Sequence, residues 1–151
     1  MIDLDWIPAD LLAILQDRFQ DELNNAQIPP PIFNLMKGEL IEYDIERGYL
    51  KAGFPVLEAY LNSFGIMQGG MIAAAIDNTL GPLSMLVAPP NFTRELEIKY
   101  KRTVTLETGY LIVTGEFHEQ RKRQLFFTAS VVNHSGIELA TAKSVHWITE
   151  K

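Results

Sequence analysis

The segment from residue 59 to residue 93 carries a single charged side chain, that of Asp77. Between about Gly69 and Leu86 its residues are apolar on nearly every face of a helix and rich in alanine, which predicts a buried helix. Pro82 is expected to bend or shorten that helix. A membrane-spanning helix needs roughly 20 predominantly apolar residues, whereas polar residues and glycines interrupt the first half of this segment. We therefore predict the buried helix of a soluble domain and no membrane insertion.

Strand-like patterns lie on both sides of this helix. Before it, residues 39–54 predict a β-hairpin, because apolar residues flank the turn Glu46-Arg47-Gly48. After it, alternating and β-branched runs separated by turn residues predict four long strands. These strands are expected at about residues 93–104, 109–119, 124–134 and 137–149.

The N-terminal part of the chain predicts one more helix, at residues 8–25. Leu12, Leu15, Phe19 and Leu23 recur there at spacings of three and four, and Pro8 suits a first helical turn. The run of prolines that follows ends the helix and starts a short linker.

The order of these elements favours one architecture. A helix that is apolar all round must be covered on all sides, and a long antiparallel sheet curved around it does so economically. This is the α+β arrangement called the hotdog fold, predicted here for residues 38–149. With 151 residues, of which 47% are hydrophobic, the chain has enough apolar material for one core, so we predict a single domain over residues 1–151.

Composition excludes several classes of function. The chain has no cysteine, which excludes disulfides, thiolate metal sites and a cysteine nucleophile. Its formal net charge is −6, whereas a general nucleic-acid binder needs a basic surface. His118, His134 and His146 lack metal-ligand spacing, so solvent-facing or structural roles and no metal site are expected. No phosphate-binding glycine loop and no Gly-x-Ser-x-Gly motif is present, so neither a cofactor nor a serine hydrolase is predicted.

The first six residues bear on localisation. The segment from Met1 to Trp6 is acidic, where a signal or transit peptide would be basic, and no apolar core of a signal peptide follows it. Together with the lack of cysteine, this predicts a cytoplasmic protein.

The residues from Asn62 to Asp77 resemble the signature of phenylacetate-type and 4-hydroxybenzoyl-CoA-type hotdog thioesterases. In those enzymes an Asn or Gln, a His-Gly-Gly loop and an Asp or Glu two helical turns later recur at this spacing. Here the loop is Gln68-Gly69-Gly70, so the usual histidine is replaced by a glutamine that cannot titrate. We expect Gln68 and Gly70 to position the loop or the substrate by hydrogen bonding.

The resemblance implies that the backbone N–H of Gly69 polarises a thioester carbonyl. Independently of the resemblance, a helix N-terminus presents unsatisfied N–H groups and a positive dipole end, which can stabilise an oxyanion. Alternatively, Gly69 and Gly70 only allow close packing of the helix against the sheet.

Asp77 is the predicted catalytic carboxylate, as general base or as nucleophile. An ion on an apolar helix is costly without a partner or a purpose, so a polar neighbour or water must help it ionise. The alternative is a buried structural aspartate satisfied by backbone amides or by Asn78. The resemblance also implies that Thr93 assists the attacking water and that Asn62 holds the carbonyl or the water, although a strand-entry threonine and a turn asparagine would look the same.

Helix geometry predicts a homo-oligomer. Gly69 and Asp77 are about 12 Å apart along one helix at 1.5 Å per residue, whereas reacting atoms must approach within about 3 to 3.5 Å. Two antiparallel helices in a dimer, or in a dimer of dimers, could bring Gly69 of one subunit opposite Asp77 of another. The resemblance implies the same sharing, with Asn62 and Gly69 from one subunit and Asp77 and Thr93 from its partner.

The sequence therefore predicts hydrolysis of an acyl-CoA thioester to free acid and CoA. Arg121, Lys122 and Arg123 would bind the CoA phosphates, or form a solvated charged hairpin. Five apolar residues could line the acyl pocket or belong to the core: Met67, Met71, Leu83, Met85 and Phe92. The main alternative is a hotdog dimer that binds acyl-CoA or a similar ligand without turnover; a dehydratase is disfavoured because this helix region has no histidine.

Overall fold

A computed structural model describes residues 7–149 of the chain, and within them three α-helices and six β-strands. Residues 1–6 and 150–151 lie outside the described residues. The acidic segment on which the signal-peptide and transit-peptide prediction rests, and both ends of the predicted domain, therefore lie outside them too. The helices are α1 (Ala9–Leu23), α2 (Pro31–Leu35) and α3 (Gly69–Val87). The strands are β1 (Glu39–Asp44), β2 (Tyr49–Pro55), β3 (Asn91–Tyr100), β4 (Tyr110–Arg121), β5 (Gln124–Val132) and β6 (Glu138–Ile148).

All six strands form one antiparallel sheet in the order β1-β2-β4-β5-β6-β3. The predicted hairpin is β1 and β2, and the four predicted later strands are β3 to β6. Because β3 comes last in this order, it lies at an edge of the sheet and pairs with β6 on one side. Thr93 therefore lies on an edge strand.

The apolar segment forms α3, which packs on β4 and also contacts β2, β3 and β5. A helix that touches four strands of one sheet requires the sheet to curve around it. Gly115 of β4 allows the close approach, since a Cβ there would lie 2.8 Å from Leu80. Pro82 does not shorten α3, which continues to Val87; Leu80 and Leu83 on either side of it are fully buried, and their packing offsets the cost of a proline in a helix.

One face of α3 is not covered by its own chain. Gly70 and Asp77 are exposed. Ala73, Ala74 and Gly81 lie on the same face of the helix, at spacings of three and four residues, and are only half-buried. Within one chain the sheet therefore covers only part of this helix. The sheet wraps the opposite face, through residues such as Ile76 and Leu80, and leaves the stripe of Asp77 open.

The N-terminal helix is slightly shorter than predicted and has a kink at Gln20. It buries Leu11, Leu15, Phe19 and Leu23, which follow one another at intervals of four residues, and it contacts α3. The predicted linker after it contains the short helix α2, which begins at Pro31 because proline suits the first helical position.

By length and hydropathy alone, α3 would qualify as a membrane-spanning helix. Its contacts with four strands of the sheet identify it as the core helix of the fold.

Candidate active site

Asp77 and Thr93, two of the predicted catalytic residues, are in direct contact. The hydroxyl of Thr93 donates a hydrogen bond to Oδ1 of Asp77 over 2.7 Å. A hydroxyl that donates to a carboxylate makes a short, charge-assisted bond, so Thr93 is the polar neighbour that the ionised side chain was expected to need. Asp77 is exposed in the single chain rather than buried, and Asn78 does not satisfy it, since its amide donates to the carbonyl of Ala74. The structural alternative for Asp77 therefore finds no support.

The register of β3 and β6 places a histidine beside this pair. Thr93 lies directly opposite His146, and a β-bulge follows, because the next paired residue of β3 is Glu95. Opposite residues of an antiparallel pair have side chains on the same face of the sheet, and bulges often aim side chains near functional sites. Thr93 is thus held between Asp77 of α3 and His146 of β6.

His146 is almost completely buried, with 1% of its surface exposed. Its ring packs on Phe127, with the ring centroids 4.7 Å apart. Its Nδ1 lies 3.0 Å from Oδ1 of Asn91, and its Nε2 lies 3.4 Å from the hydroxyl oxygen of Thr93. Burial lowers the pKa of His146 from its ordinary value, and the negative charge of Asp77 partly opposes this shift.

The sequence analysis did not connect His146 with Asp77 and Thr93. Of the two roles expected for His146, its burial excludes the solvent-facing one and fits the structural one. The signal was present in the sequence: Ala140, Ala142, Ser144 and His146 alternate along β6, and all four are buried. A period of two thus places His146 on the inner face. Within residues 7–149, no three His, Asp or Glu side chains are grouped so that they could hold a metal ion.

The N-terminus of α3 has free donors. Gln68 occupies the N-cap position, is exposed and makes no side-chain capping bond. Among the described residues, no acceptor is bonded to the backbone N–H of Gly69 or Gly70. The hydroxyl of Tyr100 donates to the carbonyl of Gly69 over 2.8 Å, and a Cβ at Gly69 would lie 3.2 Å from that hydroxyl oxygen, whereas one at Gly70 would meet nothing within 4 Å. Close packing therefore accounts for Gly69 only in part and for Gly70 not at all.

Asn62 organises the loop before α3. Its Oδ1 accepts hydrogen bonds from the backbone N–H groups of Phe64, over 2.9 Å, and Ile66, over 3.1 Å. The turn role considered for this residue is therefore present. Its side-chain NH₂ has no acceptor within residues 7–149 and remains a possible donor to a ligand.

The basic turn joins β4 to β5, and its three side chains have different surroundings. Arg123 donates to the carbonyl of Ile148 from Nε, over 3.1 Å, and from Nη2, over 2.9 Å, so it ties the hairpin to the end of β6. Arg121 is exposed and forms an ion pair with Glu119 over 2.6 Å. Lys122 is exposed and has a positive φ of 56°. Exposed Arg121 and Lys122 thus fit the alternative of a solvated charged hairpin, whereas Arg123 is used in bonds to β6. The ammonium group of Lys122 is open to solvent and can meet a ligand.

A cavity of about 300 Å³ opens beside Asp77. Asp77, Thr93, Asn91 and His146 are among its polar lining residues. Its other walls come mainly from α1, the loop before α2, and α3, and include Leu11, Leu15, Phe33, Met85, Leu86 and Phe92. Of the residues predicted to line an acyl pocket, Met85 and Phe92 line this cavity; Met67, Met71 and Leu83 do not, and Met67 and Leu83 are buried in the core.

Comparisons with known proteins bear on the fold. No protein-family model matches the sequence, and no curated protein matches it either. A phenylacetic acid degradation-related protein from Ralstonia eutropha JMP134, which carries a provisional thioesterase name, matches with a TM-score of 0.74 at 20% identity, over 86% of this chain and 99% of that chain. The Escherichia coli PaaI protein from the phenylacetic acid degradation operon matches with a TM-score of 0.74 at 15% identity, over 93% of this chain and 96% of that chain. A Streptococcus mutans UA159 protein bound to acetyl-CoA matches with a TM-score of 0.69 at 22% identity, over 76% of this chain and 90% of that chain.

At these identities the likeness shows the fold. The predicted hotdog fold, with a central helix held by an antiparallel sheet and an additional N-terminal helix, is confirmed. Which chemistry this chain performs has to be argued from its own residues.

Proposed function

We propose that the protein hydrolyses acyl-CoA thioesters at a site shared between two subunits. The observation that carries this proposal is the hydrogen bond from Thr93 to Asp77 in the lining of a mostly apolar cavity. A carboxylate oriented by a hydroxyl can activate water, and the cavity beside it can hold an apolar group. The thioesterase name of one structural neighbour and the acetyl-CoA bound to another support the same chemistry.

The reaction requires a base and an oxyanion site. Thr93 occupies Oδ1 of Asp77, and no described residue donates to Oδ2, so Oδ2 can accept a proton from water as the water oxygen bonds to the thioester carbon. The free N–H of Gly69 stabilises the oxyanion at the positive end of a helix. The C–S bond then breaks and CoA leaves as the thiol.

Direct attack by Asp77, which gives a mixed anhydride, uses the same residues and remains the alternative route. A single turnover in ¹⁸O-water separates the two. The general-base route places the label in the released acid, whereas hydrolysis of an anhydride at its protein carbonyl places it on Asp77.

Two observations support a dimer. On one helix, Gly69 and Asp77 are separated by about 12 Å, too far for one carbonyl group to meet both. The stripe of α3 that contains Asp77 is open, and β3 is an edge strand ten residues long; such edges are templates for pairing with another chain. A partner subunit with its α3 antiparallel would supply Gly69 and Asn62 to the Asp77 and Thr93 of this one, in a dimer or a dimer of dimers.

The substrate is assigned in two parts. The acyl group is apolar, because the cavity next to Asp77 has mostly apolar walls, and it is small, because about 300 Å³ lies at the lower end of ligand-pocket volumes. The CoA phosphates bind near the β4–β5 turn, where Lys122 and Arg121 are exposed. We place the reaction in the cytoplasm, which suits a chain without cysteine.

The test is a CoA-release assay with acyl-CoAs of different size. Because the protein has no cysteine, a thiol-reactive dye detects the released CoA without background from the enzyme. Asp77→Asn keeps the size of the side chain but removes the base, and we expect kcat to fall by about 10²-fold to 10⁴-fold. Asp17→Asn, an exposed carboxylate of α1, is the matched control. Undiminished turnover by Asp77→Asn would refute the proposed mechanism.

The second candidate function is binding of acyl-CoA without turnover. The feature that favours it is Gln68, which stands where the resembling enzymes have a histidine. No release of CoA by the wild type, combined with calorimetric binding of a non-hydrolysable acyl-CoA analogue, would establish this alternative.

A further inference from the structure

We propose that His146 receives, through the hydroxyl of Thr93, the proton that Asp77 takes from the attacking water. The inference rests on the hydrolysis proposed above and assigns His146 as a positioning residue that acts on Asp77 through Thr93. No part of it requires His146 to touch the substrate.

The orientation of Asn91 determines which ring nitrogen of His146 carries the proton. The side-chain NH₂ of Asn91 donates to the carbonyl of Pro89 over 2.9 Å and to that of Ser84 over 3.3 Å. Its Oδ1 is therefore the atom that faces Nδ1 of His146, over 3.0 Å. An amide oxygen only accepts hydrogen bonds, so Nδ1 must carry a hydrogen, and Nε2 of the neutral ring is left with a lone pair.

That lone pair points to Thr93, whose hydroxyl has one proton. The proton is engaged in the 2.7 Å bond to Asp77, which explains why the separation between the Thr93 oxygen and Nε2 is as long as 3.4 Å. In the resting site, Nε2 is thus a buried acceptor to which Thr93 does not donate its proton.

Protonation of Asp77 reverses the direction of the hydrogen bonds. The proton arrives on Oδ2 whereas Thr93 is bonded to Oδ1, so a half-turn of the carboxyl about its Cβ–Cγ bond first brings the new O–H to Thr93. The protonated carboxyl then donates to the Thr93 oxygen, and the hydroxyl proton moves to Nε2 of His146. The result is an ionised Asp77, an intact Thr93 and an imidazolium that donates to Asn91 and Thr93. The regenerated carboxylate of Asp77 then faces the imidazolium, and its negative charge offsets part of the cost of burying that cation.

The site gains and loses no proton over one turnover. The water oxygen bonds to the thioester carbon, and its proton passes by way of Asp77 and Thr93 to His146. When the C–S bond breaks, its electron pair stays on sulfur, and the same path in reverse returns the proton to the departing thiolate. His146 ends neutral, as it began.

The surroundings of His146 suit a neutral resting state. The groups that face its ring are Phe127 from β5, Thr93 and Asn91 from β3, and the charge of Asp77 from α3. Within residues 7–149, Asp77 is the charged group whose field reaches the ring. The imidazolium formed in the reaction would therefore be stabilised by the carboxylate that supplied the proton.

The first test is a ¹⁵N-resolved NMR titration of His146, which does not depend on turnover. We expect the Nδ1–H tautomer in the wild type. In Asp77→Asn we expect a lower His146 pKa, because the neighbouring negative charge is removed. An Nε2–H tautomer, or a titration identical in the two proteins, would overturn the inference.

The second test is kinetic. We expect His146→Gln and Thr93→Val each to lower kcat by on the order of 10-fold to 100-fold with little change in KM, and the double variant to be no worse than the single ones, because both interrupt one path. Thr93→Ser retains the hydroxyl and should retain the activity. Thermal unfolding of each variant identifies any loss that is due to misfolding.

The outcomes distinguish this inference from the proposed function. Full kcat in folded His146→Gln, alongside an inactive Asp77→Asn, would overturn the role of His146 and leave the hydrolase intact. Turnover that is unaffected by Asp77→Asn, or absent from the wild type, would overturn both.

Discussion

The backbone N–H of Gly69 and the carboxylate of Asp77 belong to the same helix and lie eight residues apart, about 12 Å along its axis. The N–H is at the helix start and has no acceptor among the described residues, and the carboxylate lies on the open stripe. A carbonyl group bound by one of them cannot reach the other within the same chain. The catalytic unit is therefore expected to be a pair of subunits.

The donor at Gly69 can be removed without changing the rest of the helix. Gly69→Pro lacks the N–H, and proline is tolerated at a first helical position. Gly69→Ala retains the N–H and is the matched control; its Cβ would lie 3.2 Å from the end of the Tyr100 side chain, which can move slightly. Since one oxyanion donor accounts for about 10²-fold to 10³-fold in kcat, we expect such a loss in Gly69→Pro and a small effect in Gly69→Ala, measured by CoA release. Equal losses in both would refute the role of the N–H.

A shared site also predicts complementation between inactive chains. In a mixed dimer of Gly69→Pro and Asp77→Asn chains, one of the two sites has both residues intact. If equal amounts exchange randomly, half of the dimers are mixed, so we expect roughly a quarter of wild-type activity to return. Native mass spectrometry would verify the exchange. Proven exchange without recovered activity would contradict a shared site.

The cavity predicts acyl selectivity that can be altered at Gly81. This residue lies one helical turn after Asp77, lines the cavity, and an added Cβ would meet nothing within 4 Å. We expect Gly81→Leu to lower kcat/KM for large acyl groups while acetyl-CoA is turned over normally. Gly81→Ala should show a weaker effect and a gain in stability of about 1 kcal/mol, because alanine is the better helix former. Because Gly81 also lies on the stripe proposed to face the partner subunit, native mass spectrometry must show that the variant still dimerises. An equal loss for acetyl-CoA and larger substrates in such a dimer would place the acyl group elsewhere.

The role of Lys122 in phosphate binding can be separated from its role in the turn. Its φ of 56° is one that asparagine tolerates, so Lys122→Asn removes the charge at little conformational cost. We expect a higher KM for acyl-CoA and an unchanged KM for an acyl-pantetheine thioester, which has no phosphate. Lys37→Asn is the control, since Lys37 is exposed and has a similar φ of 52°. A change in KM for both substrates would argue against phosphate binding.

Burial of His146 should make the protein sensitive to acid. Because burial lowers the pKa of His146 below its ordinary 6.5, the unfolded chain binds more protons than the folded one once the pH falls below about 6.5. The free energy of unfolding should therefore be highest above that pH and decrease below it, down to the folded-state pKa. Urea unfolding at pH 8 and pH 5.5, at a fixed protein concentration, measures this. His146→Gln should lose this part of the pH dependence and His118→Gln, an exposed histidine, should retain it; parallel curves for all three proteins would contradict the prediction.

Much of the fold could be predicted from local pattern. The apolar run with Asp77 as its only charge predicted α3, and the alternation and turn residues around it predicted the strands to within a few residues. The element order then favoured a sheet around a helix. The short helix α2 was missed although Pro31 at its first position was a visible signal.

Some residues of the candidate site could also be predicted from the sequence, whereas others could not. Asp77 and the Gly69-Gly70 start of α3 could be found from the sequence, because their spacing on one helix is a local property. His146 could not be connected to Asp77, since they lie 69 positions apart in the chain and the link depends on which strand lies beside which. Only the pairing of Thr93 with His146, and the bulge that follows it, brings β6 to the carboxylate.

The sequence by itself thus determined the helix, the strands, and the residues whose chemistry depends on short spacing along the chain. The tertiary structure alone decided that Thr93 lies between Asp77 and His146, that Arg123 is bound to the carbonyl of Ile148, and that one stripe of α3 stays open. The physical reason is that helical periodicity and turn chemistry are set by neighbouring residues, whereas strand register and burial are set by the packing of the whole chain.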